Sequence, residues 1–216
     1  MSEIERELRR SPTSEKEVGA AVAGFLLRAE REGRVEVAYE EADSPLGRLL
    51  VAVTARGLVR LAYPDEEDVL EELADGVSPR ILRLPGRTDE IRRELEEYFE
   101  GRRRRFEVPV DWALTEGFTR RVLRATARIP FGDLSTYREV ASRAGSDRAY
   151  RAAGNALGSN PIPIVVPCHR VVHTGGGLGG YTGGLERKEF LLTLEGALDA
   201  ATPPRRARRR GGRTRP

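Results

Sequence analysis

The only cysteine of this 216-residue chain, Cys168, is followed directly by His169 and Arg170, after the apolar, strand-like run Pro161-Ile162-Pro163-Ile164-Val165-Val166-Pro167. A lone cysteine is ordinarily a small buried apolar residue, inert because its thiol stays protonated. Its neighbours change that expectation. An adjacent imidazole is a base, an adjacent guanidinium supplies positive potential, and both favour the thiolate that attacks electrophilic carbon. The glycine-rich segment over 175–184, interrupted by Leu178, Tyr181 and Thr182, supplies backbone able to approach a ligand closely. The chemistry to expect is therefore that of a cysteine nucleophile. One cysteine cannot form an internal disulfide, and with two histidines it cannot close a tetrahedral metal site without carboxylates. His173 has no acidic neighbour in sequence and reads as a loop residue, so no metal and no cofactor are expected.

The elements that must position this segment follow from hydrophobic period. Residues 1–34 read as a polar lead and a helix over 14–32, with Val18, Ala21, Val22, Phe25 and Leu26 at helical spacing. Short β-rich runs over 35–39, 49–53 and 58–63 are separated by the turn signals Ser44-Pro45-Leu46-Gly47 and Ala55-Arg56-Gly57, which predicts an antiparallel meander. Amphipathic helices over 65–74 and 89–99 flank a strand near 80–84. A charged, proline-containing connection over 101–109 marks a domain boundary. Beyond it lie helices over 118–128, 136–144 and 148–158, the last with Ser146 and Asp147 as caps, and a helix over 185–194. The turn Ala144-Gly145-Ser146-Asp147 between two short helices has the dimensions of a helix-turn-helix.

Charge divides the chain as composition does. Residues 1–100 carry 15 basic and 24 acidic side chains, a net of −9, and residues 101–216 carry 22 and 10, a net of +12. Seven of those basic residues lie in the tail over 205–215, yet without residues 201–216 the second half still nets +5. Concentrated positive charge is the footprint of a polyanion-binding domain, because each neutralised phosphate releases a counterion. The longest apolar run, ten residues over 18–27, falls short of the roughly 20 that a spanning helix needs. Acidic residues flank Arg9-Arg10 where an export signal would be basic, so the chain is expected to be cytoplasmic, with no membrane partner.

Pro167-Cys168-His169-Arg170-Val171-Val172, with Asn160-Pro161 before it and Tyr181-Thr182-Gly183-Gly184-Leu185 after it, resembles the active-site region of the O6-alkylguanine-DNA alkyltransferases, or methylated-DNA–protein-cysteine methyltransferases. The resemblance extends through Phe131-Gly132-Asp133-Leu134-Ser135-Thr136-Tyr137, Arg151-Ala152-Ala153-Gly154 and Glu195-Gly196 in the family's order. It is specific over 118–196, weaker over 35–117, and excludes residues 1–34 and the tail. It implies an α+β fold, with a ribonuclease-H-like α/β domain over 35–110 followed by a helical, winged-helix-like domain over 111–200 bearing the helix-turn-helix. Residues 1–34 are then an extension and 201–216 a basic disordered tail.

The resemblance further implies single-turnover, direct-reversal repair of double-stranded DNA by a monomer. The alkyl group of O6-alkylguanine, and of O4-alkylthymine, passes irreversibly to Cys168 after base flipping. His169 acts through a bound water as base, Glu195 orients it, Tyr137 assists the departing base and Asn160 braces the active-site turn. Arg151 fills the gap left by the flipped nucleotide. Pro163, Tyr181 and Thr182 fall at pocket or loop positions, the backbone carbonyls of Cys168 and Val171 read the guanine amine, and Arg148 contacts DNA from the recognition helix. Thr182 stands where many members have serine. The alternatives are an alkyltransferase-like protein that binds damage without transfer, against which the retained Cys168 argues, and a helix-turn-helix regulator with an incidental cysteine. A cysteine hydrolase would differ by turning over.

Overall fold

The computed structural model describes residues 31–198 apart from Gly176, together with Gly24, Arg28 and Ala29. The helix expected over 14–32 falls almost wholly outside the described residues, and so does the tail. The first domain opens with the meander β1 (Val37–Ala42), β2 (Leu49–Thr54) and β3 (Gly57–Ala62), followed by α1 (Val69–Gly76), β4 (Ile81–Arg83) and α2 (Pro85–Phe99). The sheet order is β3-β2-β1-β4, antiparallel except for β4, which joins β1 in parallel.

Alternation assigns the two faces. Leu49, Val51 and Val53 pack with Ile91, Leu95 and Tyr98 of α2, while Ala52 and Val59 pack with Val69 and Leu73 of α1. Burial on both sides explains strands that are apolar nearly throughout rather than alternating. α1 begins later than the sequence suggested, because Asp68 takes a left-handed backbone conformation (φ 56°) and breaks the first turn. α2 begins a turn earlier, at Pro85, whose fixed φ and missing N–H suit a first helical turn.

The connection between domains is fastened to the first. Buried Glu94 of α2 accepts the backbone N–H groups of Glu107 (2.9 Å) and Val108 (3.3 Å). Leu58 of β3 then pairs with Val110 through Leu58 N to Pro109 O and Asp111 N to Leu58 O, both 2.8 Å. Gly57 must be glycine here: its φ is +128°, and a Cβ would fall 2.0 Å from Pro109 O.

The second domain contains α3 (Gly117–Thr126), β5 (Ser135–Thr136), α4 (Tyr137–Arg143), α5 (Tyr150–Gly158), a single 3-10 turn (Cys168–Arg170), β6 (Val171–Val172) and α6 (Leu185–Leu194). Thr136 and Glu139 form a reciprocal capping box at the start of α4. α5 starts at Tyr150, after Ala149, and neither Ser146 nor Asp147 caps it. The apolar run before Cys168 is not a strand. Its residues form successive turns, with buried Ile164 at φ 71°, because the short pairing Ile162 O to Val166 N folds the chain back on itself. No helix among the described residues is long and apolar enough to cross a membrane.

Candidate active site

Two strands of two residues each bring the chemistry together. β6 pairs in parallel with β5, Ser135 opposite Val171 and Thr136 opposite Val172. The strands being parallel, the residues just after them are neighbours, so Tyr137 lies beside His173, while Cys168 to Arg170 lead into β6. Cys168, Tyr137, Arg151, Tyr181 and Thr182 all line one cavity of about 820 Å³, together with Arg138, Tyr150 and His173.

The thiol is buried, and burial pushes its pKa up; the Asn160 hydrogen bond and the nearby Lys188 charge oppose that rise. Asn160 Nδ2 reaches Cys168 Sγ at 3.1 Å and Val166 O at 2.8 Å, while its Oδ1 accepts from Ile162 N. One side chain thus spans the active-site turn and touches the sulfur.

Behind the cysteine, His169 Nε2 lies 3.0 Å from Glu195 Oε1. Burial alone would raise the Glu195 pKa, but hydrogen bonds and charge from His169 and Arg170 outweigh it and hold the carboxyl down at about 2. Arg170 grips Glu195 with two bonds, Nε to Oε2 at 2.8 Å and Nη2 to Oε1 at 2.7 Å, and its Nη1 reaches Ile129 O at 2.6 Å. Tyr98 Oη donates to Oε1 at 2.7 Å and Gly132 N to Oε2 at 3.2 Å.

That network sets the tautomer of His169. Desolvation lowers the imidazole pKa and favours the neutral ring, and an ionised carboxylate can only accept, so Nε2 carries the proton. Nδ1 keeps the lone pair, and it is a buried atom with no hydrogen-bond partner among the described residues. A basic nitrogen held by a carboxylate therefore sits on the residue adjacent to the thiol.

Tyr137 is half-buried, and burial together with the neighbouring cysteine raises its pKa, which keeps the phenol protonated as a donor. Gly179 makes room for it: φ is +73°, and a Cβ there would approach Tyr137 Oη to 2.5 Å. Thr182 Oγ1 donates to Gly158 O at 2.6 Å, tying the glycine loop to the end of α5.

Of the residues expected to bind substrate or DNA, three do not line the cavity. Arg148 lies exposed in the turn before α5, Pro163 is buried in the turns leading to Cys168, and Val171 is buried in β6. The Val171 carbonyl accepts from Lys188 Nζ at 2.7 Å, which occupies one of its two lone pairs. Lys188 was not foreseen. It is fully buried on α6, also donates to Leu178 O (2.5 Å) and Gly180 O (3.4 Å), and burial pulls its pKa down to about 8. His173 is more than a loop residue: it lines the cavity with its ring centroid 5.1 Å from that of Tyr137. Tyr63, which follows β3, was also missed. Its hydroxyl lies 2.6 Å from that of Tyr181, and the Arg187 guanidinium sits 4.4 Å from its ring centre. The backbone N–H of Leu61 and Arg60 Nη1 both reach Pro161 O, at 2.9 and 3.2 Å.

Fold and site together define a two-domain protein that presents a buried thiol, backed by imidazole and carboxylate, to a cavity beside a helix-turn-helix. The family model described as the ribonuclease-like domain of 6-O-methylguanine DNA methyltransferase matches residues 37–112, and the one described as its DNA binding domain matches residues 117–197. The chain is 40% identical over 159 residues to a methylated-DNA–protein-cysteine methyltransferase of Mycolicibacterium paratuberculosis, covering 74% of this chain and 92% of that one. It is 39% identical over 158 residues to one of Methanosarcina barkeri, covering 73% and 96%. The crystal structure of Mycobacterium tuberculosis OGT in complex with DNA superposes with a TM-score of 0.64 at 36% identity, over 73% of this chain and 92% of that one. The chain belongs to the 6-O-methylguanine DNA methyltransferase family. As a member it is a DNA alkyltransferase of direct-reversal repair.

Proposed function

We propose that Cys168 takes the alkyl group of O6-alkylguanine in double-stranded DNA, once per molecule. The observation that carries this reading is the hydrogen bond from His169 Nε2 to Glu195 Oε1, which leaves Nδ1 as the basic nitrogen next to the chain's only thiol. His169 Nδ1 withdraws the thiol proton through one water. The sulfur then forms a bond to the alkyl carbon as the bond from that carbon to O6 breaks. The electron pair leaves with guanine, and Tyr137 supplies a proton to the departing base. The thiol proton ends, by way of the two side chains, on guanine, and the protein keeps a thioether. No second thiol exists to release it.

Base flipping is required because O6 inside a duplex cannot reach a buried sulfur. Arg151 on α5 enters the vacated stack, Arg148 contacts a phosphate, Pro163 and Thr182 shape the turn and loop around the base, Tyr181 forms the pocket wall, and the free lone pair of the Val171 carbonyl reads the guanine amine. O4-alkylthymine is taken by the same route. The protein acts as a cytoplasmic monomer, with 35–110 as a supporting domain and 111–200 as the reacting one.

Single-turnover rates on methylated duplex and on free O6-benzylguanine test these roles. Arg151→Ala should slow duplex repair much more than reaction with the free base, since opening the duplex costs a few kcal/mol that the free base never meets. Tyr137→Phe should slow both. An Arg151→Ala defect equal on the two substrates would refute support of the flipped state as that residue's role.

A further inference from the structure

Tyr150, the first residue of α5, is a large aromatic side chain left 40% exposed. It lines the cavity that holds Cys168. Its ring centre lies 5.8 Å from the guanidinium of Arg138 on α4 and 5.8 Å from that of Arg151 on its own helix. Its hydroxyl makes no hydrogen bond among the described residues, so what the side chain presents is its face. Cations within about 6 Å of an aromatic centre are attracted to that face, and this holds the ring between the two helices of the helix-turn-helix. At 5.8 Å from the ring centre, neither guanidinium carbon is stacked over the middle of the ring.

An aromatic face flanked by guanidiniums is the equipment of an unstacked-nucleobase site: the ring takes the base, and a cation that stays beside it, here Arg138, takes an adjoining phosphate. The bland account of an exposed tyrosine, a ring resting on the surface, leaves unexplained why it stands at the cavity mouth between both arginines. We propose that Tyr150 is a stacking platform for an unstacked base of the opened duplex, and that Arg151, on entering the DNA, vacates the side of the ring that the base then covers. The inference rests on the base-flipping reading above and adds to it a second residue that lowers the cost of opening.

The test uses the full chain, with Tyr150→Ala and Tyr150→Phe, in single-turnover reactions on a duplex carrying O6-methylguanine and on free O6-benzylguanine. Tyr150→Ala should slow the duplex reaction about tenfold more than the free-base reaction, as loss of one base–aromatic stack implies. Tyr150→Phe, which keeps the ring, should restore the duplex rate. Equal losses on both substrates, a Tyr150→Phe variant as poor as Tyr150→Ala, or no loss at all overturns the proposal. An inert wild-type chain would instead count against alkyl transfer. Stacking is then read from affinity for a duplex containing one unpaired base, which Tyr150→Ala must weaken by a similar factor, and an unchanged affinity overturns it.

Discussion

Tyr98 and Glu195 lie 97 residues apart in different domains, and the Tyr98 hydroxyl donates to Glu195 Oε1 at 2.7 Å. The carboxylate that holds His169 is therefore itself held by the first domain, through a phenol fully buried on α2. The first domain meets the site twice more, through Tyr63 on Tyr181 and through β3 on Pro161. It braces the active site from behind the residues that line the cavity.

Tyr98→Phe removes one of the donors to Glu195 while Arg170, His169 and Gly132 remain, so we expect a loss of about 1 kcal/mol in stability, the ordinary worth of a hydrogen bond. Arg170→Met should cost about 3–5 kcal/mol, because it strips a buried carboxylate of its cation. Urea midpoints of the two variants measure the difference. Equal midpoints would show that Arg170 does not carry the carboxylate.

Glu195 also makes stability depend on pH. In the folded chain it stays ionised down to about 2, against an ordinary value of 4.5. Above the ordinary value both folded and unfolded chains are ionised and its contribution is fully present. As pH falls from 4.5 towards 2 the unfolded chain binds a proton that the folded chain refuses, and the contribution is lost. Glu195→Gln should flatten the fall in urea midpoint across that window. An unaltered slope would place the acid sensitivity elsewhere.

Much of the fold was legible because its signals are local. The meander follows from β-rich runs and turn residues, and α4 from a capping box within four residues of sequence. Cys168, His169 and Arg170 announce themselves by being contiguous. The partners that complete the site are distant: Tyr63 is 118 residues from Tyr181 and Tyr98 is 97 from Glu195, and nothing in the period of either segment marks them as site residues. Lys188 reads as an exposed helix residue because lysine is rarely buried, and only the three carbonyls that receive it explain its place. The run before Cys168 reads as a strand because apolar β-branched residues favour extended chain. Tertiary packing overrides that preference and places Ile164 in a left-handed conformation.

Tyr63 packs from the first domain against Tyr181, which lines the cavity, so we expect it to influence which alkyl groups fit. Its hydroxyl holds that of Tyr181 at 2.6 Å, and a Cβ on Gly183 would come within 2.6 Å of its ring, so this part of the pocket wall is tightly packed. Tyr63→Phe should loosen the wall, raising the rate with O6-benzylguanine relative to O6-methylguanine in single-turnover reactions. A ratio unchanged from wild type would show that Tyr181 holds its place without help.

The central claim is a covalent one, that Cys168 itself keeps the alkyl group and keeps it permanently. Intact mass after incubation with excess O6-methylguanine duplex measures it directly. The expected result is a gain of one methyl group per chain, located on Cys168, with guanine restored in equal amount and no gain in Cys168→Ala. Continued repair beyond one equivalent, or a methylated Cys168→Ala chain, would contradict it.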